Sequence, residues 1–183
     1  SILGVDRANL GDVGAGIELL RRSLALALPT GDPLAIPRAY ANLGTILEVG
    51  GFVEEALEVS LAGVEAIRRY GSELSFGMFL AVNAASMLIE LGRYDEAGDL
   101  LDHYVGQVLP GVSTIQLHDT RAHLAILTGD LDAARHHLAI AQAEGSRIDD
   151  AQFVIDLYWF EAEIQLWDGD PTSALRTARG GFD

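Results

Sequence analysis

Leu91-Gly92-Arg93-Tyr94-Asp95-Glu96-Ala97 decides the fold, because it is one of five copies of a single seven-residue signature. The others are Leu10-Gly11-Asp12-Val13-Gly14-Ala15-Gly16, Gly50-Gly51-Phe52-Val53-Glu54-Glu55-Ala56, Thr128-Gly129-Asp130-Leu131-Asp132-Ala133-Ala134 and Asp168-Gly169-Asp170-Pro171-Thr172-Ser173-Ala174. Each has Gly at its second position and Gly or Ala five residues later, and the glycines are 40, 41, 37 and 40 residues apart. A fixed period of this size marks a stacked array of supersecondary units.

Amphipathic helical patterns flank each copy. Ahead of Gly51 runs Ala39 to Val49, with Tyr40, Leu43, Ile46 and Leu47 apolar; behind it come Ala56, Leu57, Leu61, Val64 and Ile67. Both follow the i, i+3, i+4, i+7 spacing of a helix with one buried face. The same reading gives helices over 79–91 and 97–108, 115–127 and 133–143, and 151–167 with a short partner over 173–178. The signature glycine should end the first helix in the left-handed conformation. Asp12, Asp130 and Asp170 should cap the second, and Pro171 suits a first helical position. The small residue closing the signature should let the two helices approach closely. Breaker clusters at Pro29-Thr30-Gly31-Asp32-Pro33, Tyr70-Gly71-Ser72, Leu109-Pro110-Gly111 and Glu144-Gly145-Ser146 should separate one pair from the next. The expected fold is all-α, a right-handed superhelical array of antiparallel helix pairs. It should form a single domain over 1–183 of about five pairs, the first and last incomplete, excised from a larger protein.

Composition narrows the function classes. The 183 residues carry a net charge of −15, 49% are hydrophobic and none is cysteine. The acidic balance argues against contact with a phosphate backbone, and the arginines, some in pairs such as Arg21-Arg22 and Arg68-Arg69, form no basic stripe. The longest internal stretch without charge, 74–89, is too short for a membrane span and reads as a first helix covered by its neighbours.

Taken in register, the copies resemble the tetratricopeptide repeat. Tyr40, Leu43, Gly44, Leu47, Gly51 and Ala56 fall on that family's positions in order, as do Ala85, Leu88, Gly92, Tyr94, Ala97 and Leu101. Ala122, Gly129, Leu131, Ala134 and Leu138 match in the fourth copy, and Tyr158, Ala162, Gly169 and Ala174 in the fifth. Two departures stand out: a period near 40 where the family has about 34, and Arg121 and Glu161 where Leu is expected. The stretches Arg38-Ala39-Tyr40-Ala41-Asn42-Leu43-Gly44 and Glu90 to Ala97 are similar to the helical sensor region of MalT-like, ATP-binding regulators of the LuxR family. That resemblance implies a non-catalytic interaction or effector-sensing module of a multidomain bacterial transcriptional regulator in the cytoplasm. A general protein–protein scaffold of another signalling protein is the alternative. Neither a Gly-x-x-x-x-Gly-Lys-[Ser/Thr] loop nor a basic recognition helix occurs in this chain.

The repeat register places the first helix of each pair on the concave face. The candidate partner-binding residues are then Arg38, Thr45, Glu48, Phe79, Asn83, Ser86, Asp119, His123, Trp159 and Glu163, a mixed surface suited to a protein or peptide, or a small effector. No cofactor is called for. His118 and His123 are five residues apart, and His136 and His137 are adjacent; neither spacing aims two imidazoles at one ion from a single helix, so no metal site is read. The pairs Glu54-Glu55 and Asp95-Glu96 sit where negative charge favours a helix dipole, which accounts for them without acid–base chemistry. Tyr158, Trp159, Phe160 and Trp167 read as core or as a face for a further repeat. Apolar repeat ends can stack in a homodimer.

Overall fold

The computed structural model describes residues 1–69, 76–108, 110–148 and 153–181. Among them the secondary structure is helical throughout: α1 (Ile2–Asn9), α2 (Val13–Ala27), α3 (Ala35–Val49), α4 (Val53–Arg68), α5 (Met78–Glu90), α6 (Tyr94–Asp102), α7 (Val112–Thr128), α8 (Leu131–Gly145), α9 (Ile155–Trp167) and α10 (Pro171–Gly180). The chain divides into two compact units, 1–97 and 98–183. In the first, α1 packs on α2 and α3 on α4, α5 lies against α4, and α3 also touches α1 and α5. In the second, α7 packs on α8 and α9 on α10, with α9 against both α7 and α8.

The turn inside each pair is built the same way five times. Gly11, Gly51, Gly92, Gly129 and Gly169 all have φ between +70° and +95°, where a Cβ is strained. The glycine N–H donates to the carbonyl three residues back, and the next N–H donates five residues back. These bonds are Gly11 to Ala8 and Asp12 to Arg7; Gly51 to Glu48 and Phe52 to Leu47; Gly92 to Ile89 and Arg93 to Leu88. They continue as Gly129 to Ile126 and Asp130 to Ala125, then Gly169 to Leu166 and Asp170 to Gln165. This is the Schellman closure, which satisfies the last carbonyls of the first helix.

The second helix then starts in one of two ways. Asp12, Asp130 and Asp170 each accept from the N–H three residues on, at 3.2, 3.0 and 3.0 Å. Phe52 and Arg93 offer no acceptor, and those two copies carry Glu54-Glu55 and Asp95-Glu96 in the first turn. Capping and dipole compensation are alternative solutions to the same exposed N–H groups.

The signature's final residue is buried in every copy: Gly16, Ala56, Ala97, Ala134 and Ala174. In the first, a Cβ on Gly16 would lie 2.7 Å from the Gly4 carbonyl oxygen and 2.8 Å from the Ala8 Cβ. Around such crossings the first unit buries Leu20, Ile36, Leu47, Ile67 and Met87, and the second buries Ile115, Ala122, Ile126, Leu138, Leu157 and Ile164. Each fully buried aliphatic side chain contributes about 1.5–3 kcal/mol. Of the uncharged stretch expected to be a covered first helix, Leu74 and Ser75 lie outside the described residues, and the rest runs into α5, buried at Met78, Leu80, Ala81, Val82, Ala84, Ala85, Met87, Leu88 and Ile89.

Several boundaries differ from the sequence reading. The helix expected over 97–108 ends at Asp102, because Tyr104 turns inward to full burial and Gly106 adopts φ +84°. Gly145 does not break α8; it is its last residue, where a Cβ would come within 3.0 Å of Val154 and 3.3 Å of Leu157. The first helix of the fifth pair starts at Ile155, with 151–152 outside the described residues, and α10 spans Pro171–Gly180 rather than 173–178. The Tyr70-Gly71-Ser72 cluster and Leu109 also lie outside the described residues.

Candidate functional site

The ten candidate residues lie on four first helices and gather within each unit. In the first unit Arg38 and Thr45 are exposed on α3, Glu48 is half-buried there, and Phe79, Asn83 and Ser86 are half-buried on α5. The Ser86 hydroxyl donates to the Val82 carbonyl at 3.2 Å, so its polarity is spent within its own helix. Burial pushes the Glu48 carboxyl up, and the negative charge of Glu90 pushes it further.

The second unit holds the denser group. Asp119 is half-buried on α7, and its Oδ1 faces the Thr120 hydroxyl at 3.0 Å. Burial drives this carboxyl up to about 7, opposed by the bonds from Thr120 and reinforced by Asp156 on α9. One turn along α7, the His123 ring stacks on Phe160 of α9, with centroids 5.1 Å apart. Burial lowers its basicity, while Glu163 works the other way. Trp159 is 68% exposed. With Ala162, Glu163, Leu166, Leu175 and Ala178 it lines a groove of about 420 Å³ between α9 and α10. The aromatic run is split accordingly: Phe160 packs against the core, while Tyr158, Trp159 and Trp167 face outward.

The two charged residues at Leu positions of the repeat pattern, Arg121 and Glu161, turn out to be polar ties between helices. Arg121 replaces Leu, and its Nη1 reaches Asp102 at 2.5 Å and the Gly98 carbonyl at 3.3 Å, joining α7 to α6. Glu161 accepts from Gln142 of α8 at 2.7 Å and from Gln165 at 3.3 Å, and Gln165 in turn accepts from Thr177 of α10 at 3.0 Å. The signal in the sequence is the departure itself, a charged residue where Leu is expected.

A contact that sequence spacing missed joins α7 to α8. His118 Nδ1 and His137 Nδ1 are 2.9 Å apart, with the residues only 6% and 8% exposed. Spacing along the sequence relates each imidazole only to neighbours on its own helix, whereas the pairing runs across the hairpin. Among the described residues no group of three or more His, Cys, Asp or Glu converges on a metal-sized site. No described helix is long and apolar enough to cross a membrane.

Fold and site thus define an array of tetratricopeptide-like helix pairs. A solved structure carries the same fold: BtubC (BKLC) from P. vanneervenii superposes with a TM-score of 0.77 over 97% of this chain and 75% of that one, at 17% identity. No protein-family model matches the chain, and no curated protein sequence matches it.

Proposed function

We propose that this chain is a non-catalytic protein-interaction or effector-sensing module that engages its partner through the α7/α9 face and the adjoining α9–α10 groove. The observation that carries the reading is Trp159, a large aromatic left 68% exposed over an apolar groove wall. Such anchors dominate protein interfaces. Asp156 and Glu163 give the face a negative potential, to which Asp119 adds only above about pH 7, and this favours a segment combining an apolar anchor with basic side chains. The likeness of the Arg38–Gly44 and Glu90–Ala97 stretches to the sensor region of ATP-binding LuxR-family regulators supports a place in a multidomain bacterial transcriptional regulator. A scaffold in another signalling protein is the second reading, and the parent sequence separates them: an upstream phosphate-binding loop and a downstream helix-turn-helix belong only to the first.

The binding test is a selection of displayed random peptides of about 15 residues against the chain. Enrichment of basic, aromatic- or Leu-containing sequences is expected, with binding lost in Trp159→Ala and weakened by salt and by Glu163→Gln. Peptides that bind Trp159→Ala and the parent chain equally would discard this face.

A further inference from the structure

We propose that the His118–His137 contact is a proton-sensitive clasp, holding α7 against α8 while both imidazoles are neutral and releasing the hairpin on acidification. At an Nδ1–Nδ1 distance of 2.9 Å one ring donates and the other accepts. A first proton added at the donor's outer nitrogen leaves that bond in place but creates a buried cation. A second proton has to go to the acceptor Nδ1, and the bond is lost with two like charges in contact.

The surroundings oppose both steps. Arg121, on α7, directs positive potential at both rings, and so does His136, on α8 and edge-on to His137 with centroids 5.3 Å apart. From α6, Asp102 favours protonation of His137, but its carboxylate is committed to Arg121 at 2.5 Å. The carboxylates of α9 are occupied elsewhere: Asp156 acts on Asp119, Glu161 accepts from Gln142, and Glu163 acts on His123. Burial is the largest part of the opposition: it lowers His118 and, with the neighbouring His118 ring and Arg121, takes His137 down to about 4. A metal ion suits the pair less well, since Arg121 repels it and no third donor converges among the described residues.

The sign follows directly. A histidine whose folded basicity lies below the ordinary value of about 6.5 stabilises the fold fully above that pH, and the contribution drains away as pH falls toward the folded value. The affected window runs from about 6.5 down to about 4. Because α7 also carries Asp119 and His123, release would disturb the α7/α9 face; that consequence rests on the binding reading above, whereas the clasp does not.

Two measurements test it. The first is an NMR titration of the imidazoles in the intact chain from pH 8 to 4. His118 and His137 should stay neutral well below pH 6.5 and then take up protons together with loss of α7 and α8 amide protection. Independent protonation near 6.5 with the hairpin intact at pH 5 would overturn the proposal. The second is urea unfolding followed by the tryptophans, both on α9 in the same unit. It should be run on Asp119→Asn, which removes a carboxyl titrating with the opposite sign. Two protons taken up on opening raise the unfolding constant by up to about 100-fold per pH unit. The triple variant carrying His118→Asn and His137→Asn as well, whose amides can replace the Nδ1 contact without titrating, should lose most of that slope. An unchanged slope would sink the clasp. If the triple variant does not fold, the titration of the parent chain decides.

Discussion

Gly4 and Gly16 meet where α1 crosses α2, so closely that a Cβ on Gly16 would sit 2.7 Å from the Gly4 carbonyl oxygen. The neighbour is backbone and cannot swing aside. Gly16→Ala should therefore destabilise the first unit by about 1–3 kcal/mol. Two residues earlier, Gly14 has nothing within 4 Å of an added Cβ, and it is helical. Gly14→Ala should stabilise by up to about 1 kcal/mol, since alanine loses less backbone entropy on entering a helix. Opposite signs from two glycines in one turn, read by urea denaturation, test the crossing; equal effects would refute it.

The capping aspartates make a second prediction. Asp130 accepts from Ala133 N–H at 3.0 Å, so Asp130→Ala should cost about 1 kcal/mol, and Asp130→Asn far less because the acceptor is retained. Thermal denaturation of both variants distinguishes a hydrogen-bonded cap from a generic charge effect, which Asn would not rescue.

These turns and caps were legible because each is a local requirement written within seven residues. A glycine that must be left-handed, an oxygen three residues before a free N–H and a small residue at a crossing all show in sequence. The end of α6 was not legible. Val105 and Val108 continue an apolar pattern, and it takes the inward turn of Tyr104, a tertiary event, together with the left-handed Gly106 to stop the helix at Asp102. The pairing of His118 with His137 was hidden for a related reason: it depends on how α7 and α8 rotate against each other. Of the candidate face, the spacing of Asp119 and His123 showed a shared helix, but the opposing Asp156, Phe160 and Glu163 became visible only with α9 in place.

Asp119 carries a pH signature. Its folded carboxyl lies near 7, above the ordinary value of 3.8, so the protonated form is the one the fold prefers. The favourable contribution is complete below the unfolded value and is lost as pH rises to about 7; above that, the fold holds a buried, unwelcome charge. Asp119→Asn should stabilise the second unit at pH 8 by up to about 4 kcal/mol and change little at pH 4. A stability difference that does not vary with pH would show that the carboxylate is solvated.

Glu161 tests the polar ties. Glu161→Ala leaves Gln142 and Gln165 without their acceptor and should cost about 1–2 kcal/mol. Glu161→Leu restores the residue type the repeat pattern calls for, and apolar contact should recover part of that loss. If the alanine variant unfolded at the same urea concentration as the parent, the network would hold α8, α9 and α10 together only in appearance.

The five Schellman turns have a wider consequence. Each is closed by backbone groups and one glycine, and it asks nothing of the side chains that follow: Asp, Phe and Arg all stand there. Folding instructions are therefore written at a different address from the outward positions of the first helices along the same forty residues. Outward positions of the first helices can be exchanged one at a time, by evolution or by design, while the frame that displays them stays as it is.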